Sequence, residues 1–139
     1  MKKLLLLTFF AAILVACVES EVEKVEYRST TMMGKTMVTI TKDSVITEFT
    51  GRGEPWRNVR TTGSAEWPDL LKLLSEVKLK DIPTYEAPTN KRATDAAPFG
   101  TLFVHTKDSV YKSQTFDGYD SHDALQPVMD HIKKMAERK

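Results

Sequence analysis

The feature that most limits how this chain can fold is its single cysteine, Cys17, set at the end of an apolar leader. A lone thiol has no partner within the chain, so no internal disulfide can staple the fold. Buried apolar surface and hydrogen bonds must hold everything that follows. The leader has three parts. Met1-Lys2-Lys3 is cationic, residues 4–13 are apolar except for Thr8, and Leu14-Val15-Ala16 leads into the thiol. A basic start, an apolar run of about 7–15 residues and small residues before a cut site make a secretory signal. The run is shorter than the ~20 apolar residues that a membrane-spanning helix needs.

Leu14-Val15-Ala16-Cys17 resembles the lipobox of bacterial lipoproteins. That resemblance implies cleavage after a signal peptide of residues 1–16 and acylation of the Cys17 sulfur with palmitate-like chains. It also implies residence in the cell envelope, at the outer membrane on its periplasmic or surface face. Each buried methylene contributes about 0.8 kcal/mol, and two chains are enough for stable anchoring. The lipid bilayer is therefore the first expected partner. No cofactor is expected beyond the covalent lipid on Cys17. The alternative is an ordinary secreted protein with a chance cysteine near its cut site. Residues 17–24 read as an acidic tether, with Glu19, Glu21 and Glu23 in close succession. The whole chain has 20 Lys and Arg against 19 Asp and Glu; losing Lys2 and Lys3 leaves 18 against 19, a net charge of −1. A near-neutral domain has no electrostatic case for binding nucleic acid.

Residues 25–139 are the right size for one domain. Val25 and Tyr27 alternate with Glu26 and Arg28, the period-two pattern of a half-buried strand. Residues 36–41 are rich in β-branched side chains and predict a second strand. Lys42-Asp43 turns the chain into a third at 44–50, and 57–62 offers a short further one. Ser64 is the expected cap of a helix whose stripe is Trp67, Leu70, Leu71, Leu74 and Val77. Pro68 lies in its first turn, and Pro83 stops any continuation. Residues 84–98 read as a long loop. Residues 99–106 are apolar on both faces, as a central strand would be, and 110–116 returns beside it. A last helix is expected with Asp123 as cap and Gln126 three residues on. Its stripe is Leu125, Val128, Met129, Ile132, Met135 and Ala136. Thr41-Lys42-Asp43-Ser44-Val45 recurs as Thr106-Lys107-Asp108-Ser109-Val110, either a duplicated unit or good turn chemistry used twice. The order hairpin, helix, loop, hairpin, helix gives an α+β fold. The expectation is an antiparallel sheet of four to five strands built from two hairpins, with two helices packed on one face.

The search for chemistry is mostly negative. The chain has no Gly-x-Ser-x-Gly elbow and no glycine-rich phosphate loop. His122 and His131 lie on opposite sides of a helix and cannot share a metal. His105 is better read as a satisfied core or cross-strand histidine. Asp117, Asp120 and Asp123 lack the ligand spacing of a calcium loop, and turn formation accounts for them. No catalytic or metal-binding residue is assigned.

Two loops read as candidate partner-binding surfaces. In Gly51-Arg52-Gly53-Glu54-Pro55-Trp56-Arg57, a tryptophan between arginines suits an interface anchor. The alternative has Trp56 folding back over the sheet edge while Arg52 pairs with Glu54. In the other, Lys91 and Arg92 offer a cationic tip with Asp95 clamping the arginine. The alternative has Arg92 and Asp95 stapling the loop down, with Asp117 as a further partner. The candidate residues are thus Arg52, Glu54, Trp56, Arg57, Lys91, Arg92 and Asp95, alongside Cys17 for the lipid.

The leader with Cys17, Tyr27-Arg28-Ser29-Thr30, Gly51-Arg52-Gly53-Glu54-Pro55, Ala87-Pro88-Thr89-Asn90-Lys91-Arg92 and Thr115-Phe116-Asp117-Gly118 resemble a family of small Gram-negative lipoproteins. More distantly, the order of elements is similar to emfourin-type inhibitors of thermolysin-like metalloproteases, which implies a protease-binding role. Where emfourins carry a glycine-rich turn after the first strand, this chain reads Thr30-Thr31-Met32-Met33-Gly34, so no inhibitory residue carries over. The function expected is a membrane-anchored, non-enzymatic binding domain for an envelope protein or peptide. A structural envelope lipoprotein without a specific ligand is the alternative, ahead of a small-ligand carrier or enzyme.

Overall fold

The computed structural model describes residues 21–138. The leader, Cys17 and the start of the tether lie outside the described residues. Seven strands form one antiparallel sheet: β1 (Val22–Thr31), β2 (Gly34–Ile40), β3 (Ser44–Gly51), β4 (Trp56–Thr61), β5 (Phe99–Thr106), β6 (Val110–Lys112) and β7 (Phe116–Asp117). Their order is β4-β3-β2-β1-β5-β6, with β7 beside β5. Helix α1 (Glu66–Ser75) follows β4, and α2 (Gln126–Glu137) follows β7. The fold is α+β, but the sheet is larger than the four to five strands expected.

Local chemistry explains the difference. The returning stretch splits into β6 and β7 because Ser113 locks the chain between them. Its N–H donates to the Leu102 carbonyl at 2.9 Å, and its hydroxyl accepts from the Leu102 N–H at 2.9 Å. Strand β4 becomes a full edge strand in register with β3. Strand β1 starts at Val22, so residues 22–24, read as tether, belong to the sheet; Val22 pairs with Thr106 and Lys24 with His105.

The register sorts the side chains onto two faces. Val25 stands opposite Ile40 and Val104, Tyr27 opposite Val38 and Leu102, and Ile40 opposite Val45. All seven are buried. They form one cluster with Trp67, Leu70 and Leu74 of α1 and with Val128, Met129, Ile132 and Met135 of α2. Each such side chain contributes about 1.5–3 kcal/mol when fully buried. The apolar stripes of both helices are therefore used as their spacing predicts. Tyr27 ties this core to the chain after β7: its hydroxyl donates to the Gly118 carbonyl at 2.5 Å, and its ring lies 4.4 Å from Tyr119. Burial pushes the Tyr27 phenol well above its ordinary range and the Tyr119 phenol up to about 12.

The helix starts differ from expectation. Ser64 does not cap α1; the Glu66 carboxylate instead accepts the Gly63 N–H at 2.6 Å. Asp123 does not cap α2; Gln126 Oε1 accepts from the Ser121 N–H at 2.9 Å and from its hydroxyl at 3.1 Å. In each case a longer side chain reaches back to the free donors of the preceding turn. The long loop holds a 3₁₀ turn at Lys91–Thr94, and another at Leu79–Thr84 includes Pro83.

Candidate binding surface at one end of the sheet

Strand β1 runs from Val22 to Thr31, a length of about 30 Å at the usual rise per residue. The register fixes what lies at each end. At the Val22 end are the two Lys-Asp turns, which share one geometry. Ser44 N–H donates to Thr41 Oγ1 at 3.1 Å, and Ser109 N–H donates to Thr106 Oγ1 at 3.1 Å. Thr41 and Thr106 N–H groups close the turns onto the Ser44 and Ser109 carbonyls at 2.9 and 2.8 Å. The sequence repeat thus carries the same turn chemistry at both places.

At the Thr31 end, Thr31 pairs with Gly34, Gly34 with Gly51, Phe49 with Trp56, and Thr30 with Phe99. The β1–β2 turn, the β3–β4 loop and the entry to β5 therefore share this end. The two loops singled out in the sequence meet there, on either side of Met32-Met33. The Arg52 N–H donates to the Met33 carbonyl at 2.8 Å and joins the first two directly. Met32, Met33, Trp56 and Phe99 are 73%, 56%, 49% and 43% exposed, four of the six large apolar side chains left in solvent among the described residues. A groove of about 300 Å³ is lined by Thr31, Met32 and Met33 and by residues 95–99.

The individual candidates divide. Trp56 stacks on Phe49 with ring centroids 6.3 Å apart, yet half of it stays exposed. Arg52 and Glu54 are exposed and make no ion pair with each other, contrary to the pairing considered from sequence. Arg57 Nε donates to Glu48 Oε1 at 3.0 Å across β3 and β4, on the face opposite the helices. Lys91 keeps an exposed side chain while its N–H donates to Asp117 Oδ2 at 2.7 Å. Arg92 is not a cationic tip. Its guanidinium donates to Asp117 Oδ1 at 2.9 Å and to the Thr89 carbonyl at 2.8 Å. Asp95 does not clamp it; Asp95 ends the 3₁₀ turn at φ 56°. The buried Asp117 carboxylate outcompetes it because both its oxygens face the turn.

The sequence reads Asp117 as a turn residue or as a further partner in stapling this loop down, and the structure gives it the second place. Burial pushes its pKa up, but this is outweighed by the Thr89 hydroxyl at 2.5 Å, the Arg92 amide and guanidinium and the Lys91 amide. Together they hold it well below the usual carboxylate range. It fixes the loop rather than offering chemistry. Met32, Met33 and Phe99 were not singled out. The signal for the two methionines is the Met-Met pair just before Gly34, an apolar dipeptide where a turn normally carries polar residues.

The face without helices carries a second cluster. Glu26 lies in ion-pair range of Lys24 at 3.3 Å and Arg28 at 3.6 Å and hydrogen-bonds His105 Nε2 at 2.9 Å. Burial pushes the Glu26 carboxyl up; the His105 and Lys24 contacts more than offset this and leave it lowered. Arg28 lies over the Phe103 ring at 4.3 Å. His105 is thus a cross-strand partner. Among the described residues no cluster of His, Cys, Asp and Glu is arranged to hold a metal ion, and no helix is long and apolar enough to cross a membrane. No protein-family model matches the chain, and no curated protein or solved structure is significantly similar to it.

Proposed function

We propose that the chain is a lipid-anchored, non-enzymatic binding domain of the cell envelope, held by acylated Cys17 and presenting the Thr31 end of its sheet to a protein partner. The observation that carries this reading is that Met32, Met33 and Phe99 line one groove at the end opposite Val22, with the half-exposed Trp56 at the same end but four strands from Phe99, on the helix-bearing face. Exposed apolar side chains beside a groove, with Arg52 and Glu54 in the adjoining β3–β4 loop, have the composition of an interface with anchor residues. The buried Asp117 hub supports it, because a loop ordered before binding loses less entropy on association. The anchor and the surface complement each other. Five residues of chain from Cys17 to Val22 reach at most about 18 Å, so the Val22 end stays within that distance of the bilayer while the Thr31 end, about 30 Å along β1, is free to face away.

Affinity capture from envelope extract tests the reading. Wild type is compared with the double variant Met32→Ser, Met33→Ser and with Trp56→Ala. The expected result is a partner, an envelope protease among the candidates, retained by wild type and lost by both variants. Equal recovery by all three contradicts the surface assignment.

A further inference from the structure

Beyond Met1, methionine occurs at positions 32, 33, 37, 129 and 135, and the fold treats these thioethers unequally. Met129 and Met135 are fully buried in the core beneath α2, and Met37 is half-buried on the helix-free face of β2. Met32 and Met33 are the two most exposed of the large apolar side chains among the described residues, and both line the groove at the Thr31 end. They are the two residues of the β1–β2 turn, which is held without their side chains. The Met33 N–H donates to Thr31 Oγ1 at 3.1 Å, the Met33 carbonyl accepts from the Arg52 N–H at 2.8 Å, and Thr31 pairs with Gly34. Both side chains thus project from a fixed frame to which neither sulfur contributes a hydrogen bond.

We propose that Met32 and Met33 form a reversible oxidation site for a small peroxide, hydrogen peroxide being the simplest, and that their conversion to sulfoxide releases the partner. The second half rests on the binding role proposed above and names how that surface is regulated. A thioether reacts only where the oxidant can reach it. A competing thiolate would react first, but residues 18–139 contain no cysteine, and Cys17 is taken up by the lipid in the proposed anchor. The envelope also lies outside the glutathione-buffered cytosol. With hydrogen peroxide, the sulfur lone pair attacks one peroxide oxygen, and the S–O bond forms as the O–O bond breaks. The sulfur loses two electrons and the peroxide gains them. The proton of the transferred oxygen passes to the departing hydroxide, which leaves as water.

The fold limits what this oxidation changes. A sulfoxide is polar, so a groove wall of two thioethers becomes one of two S=O dipoles. A partner whose apolar groups seat there leaves those oxygens unpaired on contact, which weakens binding. The core keeps its packing because Met129 and Met135 are closed to solvent. The turn keeps its shape because its bonds are made by backbone groups and the Thr31 hydroxyl. Sulfoxide reductases return each epimer to the thioether, and side chains at an exposed turn are open to them. The surface is therefore switched while the domain stays folded.

The test treats the full lipidated chain in detergent micelles with millimolar hydrogen peroxide and follows each methionine by peptide mass spectrometry. Met32 and Met33 should gain oxygen faster than Met129 and Met135 by on the order of tenfold or more, with unchanged circular dichroism, and sulfoxide reductases A and B should reverse the gain. Affinity capture from envelope extract should then recover the partner on the untreated chain, on the order of tenfold less of it on the oxidised chain, and the full amount after reduction. Met32→Leu, Met33→Leu keeps an apolar turn that peroxide does not alter, so it should retain the partner before and after treatment. Similar oxidation rates at all four positions, or loss of circular dichroism as Met32 and Met33 oxidise, overturns the inference. So does full retention by the oxidised chain when Met32→Ser, Met33→Ser fails to retain the partner; the loop surface then stands without its switch. Retention by the oxidised chain and by the serine variant alike overturns the inference and the loop-surface reading together.

Discussion

Arg92 delivers two hydrogen bonds to one oxygen of Asp117: its backbone amide and its guanidinium both reach Oδ1 at 2.9 Å. The other oxygen takes the Thr89 hydroxyl and the Lys91 amide. One carboxylate thus orders residues 89–92, just ahead of residues 95–99 that line one side of the exposed groove. Asp117→Asn keeps the shape but turns one acceptor oxygen into a donor facing donors. Amide exchange at Lys91 and Arg92 should accelerate on the order of tenfold or more while the β1–β2 amides stay protected. Unchanged exchange at both positions would mean that the loop is held by something else.

Glu66 binds three parts of the fold at once. It accepts from Arg60 at 2.7 and 2.9 Å, from the Gly63 amide at 2.6 Å and from Arg138 at 3.4 Å. Arg60 also donates to the Met135 carbonyl near the end of α2 at 2.6 Å. The guanidinium foremost, helped by the Gly63 amide, lowers the Glu66 pKa from 4.5 to about 2. A carboxylate with a depressed folded-state pKa contributes stability above its unfolded value and loses it as pH falls through the folded one. Stability should therefore decline between about pH 4.5 and pH 2. Glu66→Gln should cost about 1–2 kcal/mol in urea unfolding at pH 7 and much less at pH 2. A loss independent of pH would point to packing rather than charge.

The opposite sign applies at the alkaline end. Tyr119 is raised from 10.0 to about 12 by burial and by the nearby charge of Glu137, and Tyr27 is raised further, with burial again the leading cause. Groups with raised folded-state pKa values contribute stability below the unfolded value, lost as pH climbs through the folded one. Unfolding midpoints should fall above pH 10, and Tyr119→Phe should flatten that decline without abolishing it.

Gly100 has no room for a side chain. A Cβ there would overlap the Gly118 carbonyl oxygen and press on the Phe116 ring. Because the first obstacle is backbone, relief requires moving the β5–β7 pair. Gly100→Ala should destabilise by about 1–3 kcal/mol, seen as a lower melting temperature. A neutral substitution would show that β7 yields easily.

The twin turns allow a matched comparison. Thr41→Val and Thr106→Val each remove a hydroxyl that accepts the following Ser N–H at 3.1 Å. Each should cost about 0.5–1.5 kcal/mol, by equal amounts within error. Unequal costs would show that Thr41, whose carbonyl also accepts the Thr62 hydroxyl at 2.9 Å, has a role that the repeat does not share.

Much of this fold was legible in the sequence because periodicity reports burial directly. The helix stripes, the β-branched run of β2 and the two-faced apolar pattern of β5 all emerged where expected. What escaped notice depended on partners distant in the chain. Residues 22–24 look like an acidic tether until β5 lies beside them. The Arg92–Asp117 pair is legible only as one alternative for its loop, and the bonds from the Thr89 hydroxyl and the Lys91 amide to the same carboxylate are not legible at all. Glu66 and Gln126 displaced the shorter expected caps because only the three-dimensional path of the preceding turn brings Gly63 and Ser121 within reach. At the candidate site, both loops were visible as loops. Their convergence around Met32-Met33 follows only from register, which no local pattern encodes.

The central claim, a bilayer at the Val22 end and a protein at the Thr31 end, can be tested in intact cells with one photocrosslinkable residue placed in turn at Met33 and at Lys107. Expected are a discrete protein adduct from Met33 and lipid adducts from Lys107, the latter lost with Cys17→Ser. Lipid adducts from Met33 with protein adducts from Lys107, or no adduct from Met33, would contradict the account.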